Sequence, residues 1–330
     1  MLKTLQRLLC AALANIPVAA FANDPPVAVP ALRVIEISSS LDGLPQRIRY
    51  WDPETPGVHP VLVSLHSWSG DCMQDHSEWL REAVNRQWVF IEPNFRGVND
   101  HSEACGSTLA RQDVLDAIDW ALELGIADRE RIYLAGVSGG GHMTMMMAAF
   151  HHRRISAASA WVGISDLLEW HAFHSKSAEK DNYALMTEAC CGGQPGSSAE
   201  VDLQFFSRSP IHFLQHAANM PLDLNAGITD GKTGSVPIQH TLNAFNVIAK
   251  AQQTPQISAA EIEQLWTTGR LDSPQKQDQA EDPTYGRQIH LRRSSGPSRV
   301  TLFEGGHEGL AHPACEWLAQ QKRQTRLRGQ

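Results

Sequence analysis

Apolar runs of strand length alternate with helix-period stretches along most of the chain. The first two runs, residues 32–37 and 46–51, have no helix between them. Asp42-Gly43 lies at the reversal and predicts an antiparallel pair. From residue 61 the rhythm changes. Strands are predicted at 61–65, 88–91, 132–135, 157–162, 222–226 and 300–303, and helices at 77–85, 112–124, 140–150 and 312–322. Strands alternating with helices build a mainly parallel sheet covered on both faces, here with an antiparallel N-terminal edge.

Two long stretches interrupt this rhythm. Residues 164–220 contain Trp170, His171, His174, Cys190, Cys191 and Phe205-Phe206. An insertion of that length is either a lid over a site or a packed helical decoration. Residues 252–287 are polar and rich in Gln and Asp. Their one clear helix signal is the capping box that starts at Ser258 and ends at Glu261, and they are expected at the surface rather than in a site.

The ends of the chain bear on where the protein works. Residues 1–22 read as a secretory signal: Lys3 and Arg7, an apolar stretch from Leu8 to Ala20, then Ala20-Phe21-Ala22 as the cleavage site. The alternative is an uncleaved membrane anchor. Cleavage leaves residues 23–330 as one domain, with no membrane span and a secreted or periplasmic address. It also leaves Cys72, Cys105, Cys190, Cys191 and Cys315, which allow up to two disulfides in an oxidising compartment, with no pairing fixed by sequence. The cysteines lack zinc-ligand spacing, so no metal is expected. The polar, basic last residues, 320–330, are expected to fray. Oligomeric state cannot be read from the sequence.

Across 330 residues, 42% are hydrophobic and 19% charged, enough apolar content for a sizeable core. The formal net charge of −8 argues against a nucleic-acid partner.

The sharpest chemical signal is Gly136-Val137-Ser138-Gly139-Gly140. The pattern alone is weak, but here an apolar strand ends at it and a helix begins from it. A nucleophile held in such a turn needs small neighbours, and the amide after it points at the oxygen that becomes negative. The motif lacks the Lys-Ser/Thr pair of a phosphate loop. A serine hydroxyl needs a base, and the base an orienting carboxylate. Asp230 follows the strand at 222–226, and His307 follows the strand at 300–303. Both lie at carboxyl ends of strands, where open sheets place their sites. Asp166 and Asp223 are rival acids. Most of the fifteen histidines, His66, His151, His152 and His240 among them, are expected to be structural or at the surface. A second oxyanion donor is expected from the loop at Leu65–Gly70, with the Trp68 amide first and the Ser67 amide second, beside that of Gly139. Ser67 is also placed beside the substrate. Trp68 and Trp161 either wall a substrate pocket or fill the core.

These residues resemble the α/β-hydrolase superfamily, and within it the catalytic domain of prolyl-oligopeptidase-type serine peptidases and their esterase relatives. The matching features are His66-Ser67-Trp68 in place of the family's His-Gly-Gly, the elbow running from Gly136 through Gly141-His142, Asp230 with Val236-Pro237 after it, and Gly305-Gly306-His307. The resemblance covers roughly residues 45–320. It implies an α/β-hydrolase fold, a Ser138–His307–Asp230 triad, and hydrolysis of a small ester or short peptide without a cofactor. Three extra residues separate Asp230 from Val236 compared with the family's Asp-x-x-Val-Pro. Ser67 and Trp68 are expected to narrow the site, and the short stretch before the first strand leads to the expectation that the peptidases' N-terminal propeller is absent. The alternative is a catalytically silent binding protein on a hydrolase scaffold.

Overall fold

The alternating pattern becomes one nine-stranded sheet in the computed structural model, which describes residues 29–176 and 180–323. The expected signal segment at 1–22 and the end of the expected fraying tail lie outside the described residues. In chain order the strands are β1 (Arg33–Ser38), β2 (Pro45–Trp51), β3 (His59–Leu65), β4 (Val89–Pro93), β5 (Ala127–Val137), β6 (Ala157–Trp161), β7 (Leu222–Gly227), β8 (Ile289–Ser295) and β9 (Ser298–Phe303). Their order across the sheet is β1-β2-β4-β3-β5-β6-β7-β9-β8. β2 pairs antiparallel with both β1 and β4, the six strands from β4 across to β9 run parallel, and β8 closes the far edge antiparallel to β9. The central strands read as continuous apolar runs because both faces are covered: every residue of β4, β6 and β7 is buried.

The helices are α1 (Ser77–Asn85), α2 (Thr108–Glu123), α3 (Gly139–His151), α4 (Leu167–His174), α5 (Asn182–Cys191), α6 (Ala199–Ser207), α7 (Gln239–Ala251), α8 (Ala259–Thr268) and α9 (Ala311–Ala319). α3 follows β5 after a single residue and is buried almost all round, which its Gly, Ala and Met side chains permit. α2 begins earlier than the periodicity suggested, because the Ser107 hydroxyl accepts the Ala110 N–H as an N-cap.

The insertion at 164–220 is helical. α4, α5 and α6 carry an apolar cluster of their own, including Leu167, Trp170, Met186 and Phe205, and that cluster continues onto Trp68 and Val236. The segment is therefore packed against the loops after β3 and β7. The segment at 252–287 forms α8 behind the Ser258–Glu261 capping box. It also supplies the partners for a strand the sequence pattern did not predict. In β8, Arg293 is buried because Glu261 and Asp278 take its guanidinium at 2.9 and 2.8 Å. The segment borders an open cavity of about 820 Å³ lined by Arg270, Asp282, Arg287 and His290 among others. Among the described residues no helix is long and apolar enough to cross a membrane.

Candidate active site

Four loops at the carboxyl ends of β3, β5, β7 and β9 carry the candidate residues. Ser138 sits in the one-residue turn between β5 and α3, with φ 59° and ψ −116°. A non-glycine residue held there is strained, at roughly 1–3 kcal/mol, and must be fixed by its surroundings. The Ser138 N–H donates to the Trp161 carbonyl at 2.8 Å, and the first turn of α3 returns a bond from His142 N–H to the Ser138 carbonyl at 2.9 Å.

The turn is pressed against the loop after β3, and glycine is what permits it. A Cβ on Gly139 would lie 2.3 Å from the Trp68 amide nitrogen, and one on Gly140 2.1 Å from the Leu65 carbonyl oxygen. The amides of Gly139 and Trp68 are therefore neighbours, and among the described residues neither N–H is taken by an acceptor. The loop holding Trp68 is itself pinned: Ser67 N–H donates to Gln74 Oε1 at 2.8 Å, and the Trp68 carbonyl accepts from Asn99 N–H at 3.0 Å. His66 lies beneath it, stacked on Phe95, its ring nitrogens 2.9 Å from the Ser67 and Asn94 carbonyls. Burial pushes its pKa down to about 4, which makes it a neutral structural side chain.

Asp230 is fully buried in the loop after β7. Its Oδ1 accepts the backbone N–H groups of Gly231 at 2.9 Å and Val236 at 3.3 Å. Both carboxylate oxygens face His307 Nδ1, at 2.9 and 3.0 Å, and the His307 side chain remains 24% exposed, within reach of a bound molecule. The rival acids are engaged elsewhere. Asp166 caps α4 by accepting from Leu168 and Glu169 N–H, and Asp223 is buried in an ion pair with Arg299 at 2.7 Å and a bond from Ser159.

Both tryptophan side chains take the core side of the two placements the sequence left open. Trp161 is completely buried, its ring packs against Tyr285 and Phe303, and its indole N–H donates to Ser159 Oγ at 2.8 Å. The Trp68 side chain is likewise buried, against His142 and Trp170, and its amide nitrogen lies beside Gly139. The Ser67 hydroxyl makes just a long contact, 3.5 Å, to the Val137 carbonyl.

One contact was not anticipated. His307 Nε2 lies 3.2 Å from the hydroxyl of Ser235, whereas the Ser138 hydroxyl has no hydrogen bond among the described residues. Ser235 lies in the lengthened stretch between Asp230 and Val236, and that irregular spacing was the only sequence hint of it.

Cys72, Cys105, Cys190, Cys191 and Cys315 are all free, buried thiols, so neither of the disulfides their number allowed is formed. Cys105, Cys190 and Cys191 lie in the apolar cluster of the insertion. Beside them Arg208 donates to the carbonyls of Ser102, Ala104 and Cys105. Among the described residues no three His, Cys, Asp or Glu side chains converge as a metal-ligand set.

A model of the prolyl oligopeptidase family matches residues 74–264, more than half of the chain. The acylamino-acid-releasing enzyme of Arabidopsis thaliana is 30% identical over 160 residues, 42% of this chain and 20% of that protein. Acetylxylan esterase A of Emericella nidulans is 24% identical over 162 residues, covering 45% of this chain and 50% of the esterase. This chain thus spans half or less of the length of these relatives. Among solved structures, the substrate-bound fluorophosphonate-binding serine hydrolase F of Staphylococcus aureus superposes with a TM-score of 0.57 at 14% identity, covering 88% of this chain and 98% of its own. That likeness establishes the α/β-hydrolase fold. The family match spans Ser138 and Asp230, and the chain belongs to the prolyl oligopeptidase family.

Proposed function

We propose that the protein is an exported serine hydrolase that cleaves small carboxylic esters or short peptide amides through an acyl-enzyme. Ser138 Oγ attacks the carbonyl carbon while its proton passes to His307 Nε2. Asp230 holds Nδ1–H and stabilises the imidazolium. The Trp68 and Gly139 amides take the oxyanion. Collapse of the tetrahedral species breaks the bond to the leaving group, which departs with the proton from Nε2. Water then repeats the sequence on the acyl-enzyme and releases the acid and free Ser138.

The observation that carries this reading is the pairing of two unoccupied amide donors beside Ser138 with a buried Asp230 carboxylate on the far nitrogen of a part-exposed His307. The named relatives include an ester-cleaving enzyme as well as a peptide-processing one, so both substrate types are retained. Turnover of a panel of short acyl esters and acylated amino-acid amides, with Ser138→Ala as control, tests it. Loss of all turnover in that variant supports the reading, and turnover unchanged in it removes Ser138 from the chemistry.

The contact of Nε2 with Ser235 rather than Ser138 is the observation favouring a silent binding protein. Such a protein, folded, would resist a fluorophosphonate. Export adds cleavage after Ala22, leaving residues 23–330 as one catalytic domain, secreted or periplasmic. A mature N-terminus at Asn23 outside the cytoplasm supports it, and an intact Met1 terminus contradicts it.

A further inference from the structure

The insertion packs against the loops after β3 and β7. Its first helix, α4, takes hold of a single backbone oxygen. The Ser235 carbonyl accepts the Trp170 indole N–H at 2.8 Å and lies 2.8 Å from His174 Nε2. His174 is fixed in turn: it is buried, its Nδ1 lies 2.5 Å from Asp181 Oδ2, and Asp181 is the N-cap of α5. Trp170 is wholly buried in the insertion's own apolar cluster. The grip on Ser235 therefore comes from two rigid, fully engaged side chains.

At the other end of the same residue, Ser235 Oγ stands 3.2 Å from His307 Nε2. With Nδ1–H committed to Asp230, the neutral ring has one lone pair at Nε2; the serine O–H donates to it while Ser138 makes no bond there, and gives up that position when the Ser138 hydroxyl takes it. Once the ring is protonated, the same oxygen can accept from Nε2–H. A hydroxyl can therefore meet His307 both before and after the ring takes up the Ser138 proton, which neither an amide N–H nor a carbonyl can do.

We infer that Ser235 is a positioning residue for His307, through which the α4–α5 hairpin sets the orientation of the catalytic imidazole. This rests on the triad reading above. The chain of contacts runs from Asp181 through His174 and Trp170 to the Ser235 backbone, then through the Ser235 hydroxyl to His307. Asp230 holds Nδ1 of the ring and, before Ser138 engages, Ser235 meets Nε2, so the resting ring plane is defined at both ends. Misdirecting a reacting nitrogen costs rate rather than substrate binding.

The test uses the full chain and three substitutions. In Ser235→Ala, kcat should fall roughly tenfold, the worth of about one neutral hydrogen bond, with KM within twofold. Ser235→Thr, which keeps the hydroxyl, should restore kcat. Trp170→Phe, which removes the indole N–H and keeps a buried ring, should lower kcat in the wild-type background and have little further effect in Ser235→Ala. An unchanged kcat in Ser235→Ala, no rescue by Thr, or full additivity with Trp170→Phe would each overturn the inference. The contact can also be read without turnover. The ¹⁵N resonance of His307 Nε2, assigned by its loss in His307→Gln, should move in Ser235→Ala and return in Ser235→Thr. An unmoved resonance overturns the contact. Failure of the triad reading looks different: hydrolysis would survive Ser138→Ala whatever happens at 235.

Discussion

Replacing Asp230 by Asn changes one atom, and the surrounding donors determine how the new side chain must sit. Asp230 Oδ1 takes the Gly231 and Val236 N–H groups, and both oxygens face His307 Nδ1. An asparagine in this buried slot must keep its carbonyl oxygen toward the two backbone donors, because the reverse orientation sets N–H against N–H. Its amide nitrogen then occupies the position 3.0 Å from Nδ1 and donates to it. The ring answers by presenting its lone pair at Nδ1 and carrying its proton on Nε2. In that tautomer Nε2 cannot accept the Ser138 proton. The expected loss in kcat is about 10⁴-fold, or about 5 kcal/mol of transition-state stabilisation, with KM changed far less. Steady-state hydrolysis of an activated acetate ester measures it, with near-ultraviolet circular dichroism to show that the variant is folded. Asp166→Asn is the matched control. Asn caps a helix about as well as Asp, so kcat should stay within twofold. A folded Asp230→Asn variant within tenfold of wild type, or an Asp166→Asn variant that is equally crippled, refutes the assignment of the acid.

Three further outcomes are independent of that one. Arg208→Met strips the donors from three carbonyls in the 102–105 loop, and should lower stability by about 3 kcal/mol or more in denaturant unfolding; a shift below about 1 kcal/mol contradicts its role as the pin of that loop. Trp161→Phe should cost about 1 kcal/mol through loss of the bond to Ser159 and leave the ester-to-amide preference unchanged; an altered preference would return Trp161 to the substrate pocket. Acid should destabilise the fold between pH 6.5 and 4. Burial holds His66 and His142 down to about 4, while the unfolded chain takes up those protons near 6.5. Stability is then complete above the unfolded value and is lost as pH falls, by about 3 kcal/mol for each of the two at pH 4. A melting temperature that stays flat from pH 7 to 4 contradicts this.

The parallel centre of the sheet was legible because buried strands are nearly pure apolar runs, and the pattern named β3 to β7 and β9 within a few residues. β8 was not, because Arg292 and Arg293 break its apolar pattern; Arg293 is tolerated there through carboxylates contributed by a segment read as surface. α7 also escaped, although Leu242, Phe245 and Ile248 mark its buried face. At the site, residue types and strand ends brought Ser138, Asp230 and His307 forward, because a nucleophile turn and loops at strand ends have local signatures. Pairwise side-chain contacts have none. Nothing in the sequence distinguishes the buried ring of Trp161 from a pocket wall. The hold of Trp170 and His174 on Ser235 joins positions more than 60 residues apart. Only the irregular spacing after Asp230 hinted that something there was different.

Every catalytic step above depends on Ser138 being a nucleophile activated by His307. Treating the full chain with a fluorophosphonate probe and mapping the modified peptide tests this most directly. Stoichiometric attachment at Ser138 is expected, slowed by orders of magnitude in His307→Gln and absent in Ser138→Ala. A folded wild-type protein that takes up no probe, or a Ser138→Ala variant that still does, would contradict it.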